Sequence, residues 1–378
     1  MLLMHIVGAR PNFMKAAPVL TAVEKSLGVT QLLIHTGQHY DDNMSQVFFR
    51  DLGLPMPDVN LGVGSRSHSA QTAEIMLRVE PVLLEHKPDI VLVYGDVNST
   101  VAATLVAVKL GIAVAHVEAG LRSFDRSMPE EINRIVTDRL ADILFTPSED
   151  ADDNLLREGV PAERIVRVGN VMIDTLVRLK DRAQARWSHL AQALGVPGAV
   201  LPVGNYAVVT LHRPSNVDEP VRLSRLVETL AEISRDLPVI FPVHPRTRER
   251  LRAAGIDAIG GNLYLTDPVG YLDFMALQRG AALVITDSGG IQEETTFLGV
   301  PCLTLRSNTE RPVTTAVGTN RLIGGDMENL KLHVKRILRG DRPAGKCPPL
   351  WDGHAGERIA SVLTKHSLSR PAGDTASA

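Results

Sequence analysis

The chain has 378 residues, of which 44% are hydrophobic and 22% are charged, with a formal net charge of -3. This composition is ordinary for a globular protein, and the length favours two domains over one. The basic residues are scattered and the net charge is small, which predicts no nucleic-acid partner. The sequence has no apolar segment of membrane-spanning length, no signal-peptide pattern and only two cysteines, Cys302 and Cys347. We therefore expect a cytoplasmic protein without membrane contact, disulfide framework or metal cluster.

Short β-branched segments alternate with segments of helical length, which is typical of βα units around a parallel sheet. The first series of predicted strands covers 3–7, 31–35, 90–94, 113–117 and 143–146, and the second covers 206–210, 239–243, 263–265, 283–286 and 302–305. We predict an α/β protein with two Rossmann-like, doubly wound domains. The first comprises residues 1–170 and the second 171–354, with the crossing between them in 171–201. The polar segment 369–378 is predicted to be disordered.

The loop after the first predicted strand reads Gly8-Ala9-Arg10-Pro11-Asn12-Phe13-Met14-Lys15. It has neither the G-x-G-x-x-G spacing of a dinucleotide site nor the ending of a P-loop, which disfavours NAD and ATP chemistry. Arg10 and Lys15 lie on either side of a predicted helix start and could clamp an anionic ligand. The alternative for each is a surface basic residue. We favour that alternative for Lys15 but not for Arg10, which has glycine and proline nearby.

Three later loops of the first domain supply the carboxylates Asp96, Glu118 and Glu130. Asp96 could instead be the N-cap of a helix that begins near Asn98, and Glu130 could be a favourable charge in a first helical turn after Pro129. Glu118 ends a buried apolar strand, where a carboxylate is costly unless it has a partner or a task. Several carboxylates around one cleft suit proton transfer on both faces of a substrate.

The second domain contains the turn Ser288-Gly289-Gly290 between a predicted strand and a predicted helix. Two glycines allow close approach of a ligand to the backbone, and the free N–H groups of a helix start favour a phosphate. Glu294, about one turn into the helix, is placed to accept hydrogen bonds from a ribose. The alternative is a capped turn in which Asp287 or Ser288 is the N-cap.

Histidine and arginine occur together after two other strands of this domain, in His212-Arg213 and in His244-Pro245-Arg246. Facing the glycine turn, these residues would form a diphosphate pocket, although such histidines are as often hydrogen-bonding loop residues. The spacing of histidines and cysteines predicts no zinc site.

A set of motifs occurs in order between about residue 5 and residue 365: Gly8-Ala9-Arg10-Pro11, Thr36-Gly37-Gln38-His39, Gly95-Asp96, His116-Val117-Glu118-Ala119-Gly120-Leu121-Arg122, Pro129-Glu130-Glu131-Ile132-Asn133-Arg134, Gly169-Asn170, Leu211-His212-Arg213, Asp287-Ser288-Gly289-Gly290-Ile291-Gln292-Glu293-Glu294 and Thr309-Glu310-Arg311-Pro312. Together these motifs resemble the non-hydrolysing UDP-N-acetylglucosamine 2-epimerase family. The resemblance implies a two-domain fold of the glycosyltransferase-B type with the site in the interdomain cleft. It also implies a nucleotide held by the C-terminal domain and a final helix, 355–368, that returns to the N-terminal domain. We further expect a homodimer.

The resemblance implies C2 epimerisation of UDP-GlcNAc to UDP-ManNAc without cofactor or metal. In this reaction UDP is expelled to leave a 2-acetamidoglucal and is then added back, and the product supplies surface polysaccharide. Asp96, Glu118 and Glu130 match the acid/base carboxylates of the family, and His212 matches a histidine near the diphosphate. The residues implied in substrate binding are Arg10, Lys15, Arg213, His244, Phe274, Ser288, Gly289, Gly290, Glu294 and Arg311. Phe274 matches the position at the uracil, with a core aromatic residue as the alternative.

Two segments depart from the family pattern. Ser215 occupies a position at which many members have glutamate, and Gln38-His39-Tyr40-Asp41-Asp42-Asn43-Met44 differs from the members activated by their own substrate. Allosteric activation therefore stays open, as does the choice between UDP-GlcNAc and a UDP-2,3-diacetamido uronic acid. A hydrolysing epimerase that releases ManNAc and UDP, a retaining glycosyltransferase and a non-catalytic nucleotide-sugar sensor are the competing functions.

Overall fold

The computed structural model describes residues 1–38, 52–256 and 261–369. Within these ranges the chain forms two compact units, one from Met1–Val177 with the segment that begins at Pro349, and one from Arg178–Pro348. Each unit contains a parallel sheet whose successive strands are joined mainly through helices. No helix in the described ranges is both long enough and apolar enough to cross a membrane.

The described strands, in chain order, are β1 (Leu2–Val7), β2 (Thr30–His35), β3 (Val59–Asn60), β4 (Ile90–Tyr94), β5 (Ala113–Val117), β6 (Ile143–Thr146), β7 (Ile165–Arg167), β8 (Ala207–Thr210), β9 (Val239–Pro242), β10 (Leu263–Thr266), β11 (Leu283–Thr286), β12 (Cys302–Thr304) and β13 (Asn320–Leu322). The described helices are α1 (Arg10–Glu24), α2 (His68–His86), α3 (Asn98–Lys109), α4 (Pro129–Leu140), α5 (Glu149–Arg157), α6 (Val171–Leu194), α7 (Pro214–Val217), α8 (Pro220–Ile233), α9 (Pro245–Ala253), α10 (Tyr271–Gly280), α11 (Gly289–Leu298), α12 (Val313–Ala316), α13 (Met327–Leu338) and α14 (Ala355–Ser369). Short 3₁₀ turns occur at Ala162–Arg164 and Gly198–Val200.

The sheet of the first unit has the strand order β3-β2-β1-β4-β5-β6-β7, and its neighbouring strands are parallel. All five residues of β4 are buried, as expected for a parallel strand covered on both faces. The order reverses between β1 and β4. The loops that follow these two strands therefore flank the crevice in which doubly wound sheets bind ligands.

The last helix belongs to the first unit. It packs against α1, and its first two amides, from Ala355 and Gly356, donate to the carboxylate of Asp174 at 3.1 and 2.7 Å. An anion at a helix N-terminus accepts hydrogen bonds from the free N–H groups and interacts favourably with the positive end of the helix dipole. Just before the helix, the buried indole Nε1 of Trp351 donates to the carbonyl of Pro147 at 2.9 Å. These contacts attach the end of the chain to the first sheet.

The second sheet has the order β10-β9-β8-β11-β12-β13, again with parallel neighbours. Its reversal lies between β8 and β11, so the crevice of this unit is flanked by the loops that follow those strands. The core is a cluster of aliphatic residues and Phe241 from the strands and from α8 and α13. Each unit thus has its own switch point and its own hydrophobic core.

Every predicted strand is present, and the prediction of two doubly wound α/β units is confirmed. The strands β3, β7 and β13 were missed because two or three residues carry too little apolar alternation to be recognised. The first unit gives way to the second between Val177 and Arg178, inside α6. Of the predicted disordered tail, Ser369 ends α14, and 370–378 lie outside the described residues.

Candidate active site

The loops after β1 and β4 are joined by one buried side chain. The Asn12 carboxamide oxygen accepts from the amides of Gly8 and Ala9 at 3.1 Å each, and its Nδ2 donates to the carbonyl of Tyr94 at 2.7 Å. Gly8 has no room for a Cβ, because that atom would collide with Ser99. This bonding holds the start of α1 beside the end of β4.

Lys15 and Glu118 form a buried ion pair. The Lys15 Nζ lies 2.8 Å from each carboxylate oxygen of Glu118, and the two residues are only 5% and 6% exposed. The preferred interpretation of Lys15 as a surface residue is therefore wrong. The buried carboxylate of Glu118 thus has the ammonium group of Lys15 as its partner. The same ammonium group lies 2.5 Å from the position that a Cβ on Gly95 would occupy.

The backbone at Glu118 is strained, because its φ of +73° lies in the left-handed region that non-glycine residues rarely adopt. The conformation is held by the amides of Glu118 and Ala119, which both donate to the carbonyl of Phe145, at 3.1 and 3.0 Å. Strained residues of this kind concentrate at functional sites. Here the conformation ends the strand and places the carboxylate within reach of Lys15.

Asp96 is not a helix cap. Val97 occupies the N-cap position of α3, without a side-chain capping bond, and the Asp96 carboxylate pairs with Arg134 at 2.5 Å. The other side of the Arg134 guanidinium pairs with Glu131, and Asn133 Nδ2 donates to the Asp96 carbonyl at 2.9 Å. The segment that begins α4 therefore holds Asp96 by its side chain and by its backbone.

Glu130 and Glu131 both lie in the first turn of α4 after Pro129, which is the position that the alternative interpretation gave to Glu130. Their surroundings differ. Glu131 is 1% exposed, and its carboxylate accepts from the amides of Ser123 and Phe124 at 3.0 and 2.9 Å. Glu130 is half-buried and lines a cavity. Glu131 thus has a structural task, whereas Glu130 is open to a ligand.

A cavity of about 240 Å³ lies at this edge of the first sheet. Its wall includes two of the predicted carboxylates, Asp96 and Glu130. The other residues that line it are Gln38, Ser65, Arg66, His68, Gln71, Val97, Asn98, Pro129 and Asn133. The cavity is of a size to take part of a small polar ligand rather than a whole nucleotide sugar, since sites for drug-sized ligands start at about 300 Å³. In the segment 38–44, which differs from the family pattern, Gln38 lies in the cavity wall, and residues 39–44 lie outside the described residues.

His116 in β5 supports the loop that contains Asp96, a role that the sequence did not reveal. Its ring is fully buried, with Nε2 donating to the carbonyl of Gly95 at 2.8 Å and Nδ1 lying 2.6 Å from Asp138. Burial alone would raise the pKa of Asp138, but the neighbouring His116 and Arg122 hold that pKa below its usual range. The sequence signal for this role is a histidine within an apolar strand, because a buried imidazole needs hydrogen-bond partners.

Arg10 is the first residue of α1 and is exposed, next to the loop that Asn12 holds. The first unit therefore brings together Asp96 and Glu130 at one cavity, and Lys15 with Glu118 behind Gly95. The predicted residues of the second unit form a separate group.

In the second unit, Asp287 links the loops that follow β8 and β11. Its buried carboxylate accepts from the amide of Arg213 at 3.0 Å and lies 3.1 Å from Nδ1 of His212. Arg213 Nε donates to the Asp287 carbonyl at 3.0 Å. Asp287 is therefore not the N-cap of α11. That position belongs to Ser288, which makes no side-chain capping bond.

The glycine turn begins α11, which runs from Gly289 to Leu298, with Gly290 as its second residue. The helix start thus presents free backbone N–H groups without a capping side chain, as a phosphate site requires. A Cβ on Gly289 would collide with the guanidinium of Arg311. Arg311 itself is 6% exposed and pairs with Glu293 at 2.9 Å and Glu310 at 2.5 Å.

Glu294 is buried, and its two carboxylate oxygens accept from Tyr271 Oη at 3.0 Å and Gln278 Nε2 at 2.7 Å. Its contact with a ribose stays a prediction. Phe274 is half-buried in the first turn of α10, and His244 is exposed at the residue before α9. Ser215, in α7, is exposed as well.

The profile of a protein family described as UDP-N-acetylglucosamine 2-epimerase matches residues 21–364. The chain belongs to this family. The UDP-N-acetylglucosamine 2-epimerase of Methanocaldococcus jannaschii is 46% identical over 365 residues, which cover 95% of this chain and 98% of that one. The UDP-2,3-diacetamido-2,3-dideoxy-D-glucuronate 2-epimerase of Pseudomonas aeruginosa is 41% identical over 372 residues, covering 97% and 100%.

Solved structures of the family have the same architecture. The M. jannaschii UDP-GlcNAc 2-epimerase, crystallised with UDP-GlcNAc and UDP, superposes with a TM-score of 0.86 at 44% identity and covers 97% of this chain and 100% of that one. The predicted fold class, two parallel-sheet α/β domains of the glycosyltransferase-B type, is confirmed.

Proposed function

We propose that the protein is a non-hydrolysing 2-epimerase that interconverts UDP-GlcNAc and UDP-ManNAc. The observation that carries the proposal is the division of groups between two switch points. Carboxylates lie at the first switch point and beside it, at Asp96 after β4 and at Glu118 after β5. An uncapped glycine turn with an adjacent histidine lies at the second, at Gly289 and His212. The first set suits proton transfer and the second suits a diphosphate.

The reaction breaks and forms two bonds in each direction. The C2 proton has no adjacent carbonyl to make it acidic, so its removal must accompany loss of UDP from C1, with the electron pair of the C–H bond forming the C1–C2 double bond of a 2-acetamidoglucal. Return of a proton to the opposite face of C2 and of the UDP oxygen to C1 gives the epimer. Two proton-transfer groups and a site that retains UDP are therefore required.

The first unit would supply the proton-transfer groups. Asp96 and Glu130 line the same cavity, so we assign them to proton transfer at C2. The guanidinium of Arg134, 2.5 Å from the Asp96 carboxylate, would hold that side chain in place. Glu118 pairs with Lys15, whose ammonium group lies against Gly95, the residue before Asp96. We assign this pair to the same proton chemistry, in which the ammonium group would approach an anionic oxygen.

The second unit would hold UDP. The hydroxyl of Ser288 and the backbone N–H groups at Gly289 and Gly290 would bind the diphosphate. His212 and Arg213 would face it, and Arg311 would add positive charge from behind the turn. Glu294 would contact the ribose and Phe274 the uracil. Arg10, Lys15 and His244 complete the proposed binding residues. We further propose a cytoplasmic homodimer that uses no metal or cofactor and supplies ManNAc-type sugars for surface polysaccharide.

A second substrate is favoured by one observation. The P. aeruginosa relative, 41% identical to this chain, is named as the 2-epimerase of a UDP-2,3-diacetamido uronic acid. Arg66 in the cavity wall is a cation that could meet a uronate carboxylate. The same fold and the same carboxylates would serve either sugar.

Incubation in heavy water tests the function. UDP-GlcNAc and the UDP-2,3-diacetamido uronic acid are incubated separately with the enzyme, and C1, C2 and the nucleotide are followed by NMR. We expect the C2 proton to be replaced by deuterium in both epimers, with UDP still attached at equilibrium. Epimerisation without deuterium at C2 would reject the mechanism, and accumulation of free ManNAc with UDP would indicate the hydrolysing enzyme instead.

A further inference from the structure

The side chain of Asp287 receives donors from three residues of the neighbouring loop. The amide of His212 lies 3.2 Å from both carboxylate oxygens, the amide of Arg213 lies 3.0 Å from Oδ2, and Nδ2 of Asn216 lies 2.9 Å from it. Nδ1 of the His212 ring lies 3.1 Å from Oδ1. Because β8 and β11 pair with Thr210 opposite Thr286, these loops leave the sheet side by side.

This set of donors specifies an ionised carboxylate. Asp287 is 0% exposed, and burial by itself would raise its pKa, but the hydrogen bonds from His212, Asn216 and the Arg213 amide hold that pKa below its usual range. An ionised carboxylate accepts hydrogen bonds and donates none. The ring nitrogen that faces Oδ1 must therefore be the donor, so the proton of the neutral imidazole sits on Nδ1 of His212.

With Nδ1 committed to Asp287, Nε2 is the nitrogen that His212 can offer to a ligand. The side chain of His212 is 52% exposed, whereas Asp287 is enclosed, so the aspartate reaches the site only through the histidine. We propose that Asp287 is the positioning residue of the diphosphate site, which sets the tautomer and the orientation of His212 so that Nε2 faces the leaving UDP. The inference rests on the proposed function for the identity of the ligand, but its structural part does not.

The arrangement would act in both directions of the reaction. When the diphosphate binds, Nε2 would take up a proton from water, and the resulting imidazolium would face the Asp287 carboxylate on one side and the diphosphate on the other. The Nε2–H group would then donate a hydrogen bond to the diphosphate oxygen as the C1–O bond breaks, and release it as the bond re-forms. Asp287 stays ionised throughout and transfers no proton.

The test compares Asp287→Asn with a matched control. Asparagine has the same shape as aspartate, but its NH₂ group replaces one carboxylate oxygen among the hydrogen-bond donors of the neighbouring loop. The proton of the neutral His212 ring should therefore move from Nδ1 to Nε2. Nitrogen-15 NMR of the histidine rings, with His212 assigned from His212→Gln, reports that position directly. Asn216→Ala is the control, since it removes a neutral donor to the same carboxylate and leaves the ring contact in place. We expect the Nδ1–H form in the wild type and in the control, and loss of that form in Asp287→Asn.

Kinetics separate a positioning role from a merely structural one. Asp287→Asn should lower kcat by about 10²-fold, the lower range for loss of a proton-transfer group, with KM changed much less. In a His212→Gln background the same substitution should have little further effect, because Asp287 acts through the ring. An equal fall of kcat in both backgrounds, or an Nε2–H ring in the wild-type protein, would overturn the inference.

The NMR result does not depend on turnover. If neither UDP sugar is epimerised but the ring proton sits on Nδ1 and moves in Asp287→Asn, the proposed function fails and the positioning inference stands. If Asp287→Asn does not fold, the ring state of the wild-type protein alone decides, and an Nε2–H ring contradicts the inference.

Discussion

Removal of the charge on Glu118 should affect stability as well as catalysis. In Glu118→Gln the ammonium of Lys15 stays 95% enclosed with one neutral acceptor in place of a carboxylate that lay 2.8 Å away. Loss of one partner of a buried ion pair typically costs about 3–5 kcal/mol, and we expect about 3 because the glutamine oxygen still accepts one bond. Lys15→Met should cost a similar amount by removing the ammonium group that faces the buried Glu118 carboxylate. The double variant, with no charge at either of these two positions, should lose about 3 kcal/mol, which is half of the sum.

Denaturant unfolding can measure this coupling within the first unit. The chain has two tryptophans, and Trp351 lies in the first unit while Trp187 lies in the second. In a Trp187→Phe background the fluorescence of Trp351 therefore reports on the unit that contains the pair. The four proteins of the cycle should give a coupling free energy of about 3 kcal/mol between positions 15 and 118. Additive losses would refute the reasoning about the buried pair.

The same cycle separates stability from chemistry. Glu118→Gln should lower kcat by at least ~10²-fold, the lower range for acid–base catalysis. The double variant should be about as stable as either single variant, and it should stay inactive if the carboxylate takes part in the reaction. Recovery of the epimerase rate in the double variant, which has neither charged group, would instead show that neither Glu118 nor Lys15 takes part in the reaction.

The remaining predictions concern pH and the glycine turn. Burial lowers the pKa of His5 to about 3 and that of His35 to about 4, from 6.5. The unfolded chain then binds more protons, so the unfolding free energy should fall as pH drops below about 6.5, and His35→Leu should flatten this dependence in acid denaturation curves. Burial raises the pKa of Asp174 from 3.8 to about 6, so its contribution should fall as pH rises through that interval. The difference in unfolding free energy between wild type and Asp174→Asn, measured from pH 4 to pH 7, should decrease accordingly, and a flat difference would contradict the shift. Gly289→Ala should cost about 1–3 kcal/mol of stability by displacing Arg311 and weaken UDP binding in calorimetry with chelator present, whereas wild-type affinity would remove the turn from the diphosphate site.

The local order of strand, loop and helix could be predicted from the sequence. A strand that is buried on both faces requires a run of apolar residues, and the start of a helix requires particular residues. The segments before Asp96, Glu118, His212 and Ser288 are such runs, and all four residues were found at strand ends or helix starts. The motif set also identified the family, since each motif combines a turn that needs glycine with a polar side chain at a strand end. These properties depend on neighbours in the chain, which a sequence displays directly.

The tertiary structure alone decided which of these residues meet. The pairing of β1 with β4, of β4 with β5 and of β8 with β11 brings together loops that are far apart in the chain. That pairing buries Lys15 beside Glu118 and turns Asp287 from a candidate helix cap into the partner of His212. Lys15 was predicted to be a surface residue because a lysine is rarely buried without a counter-charge. The counter-charge lies 103 residues away in sequence, and only the order of strands in a sheet can bring such a pair into contact.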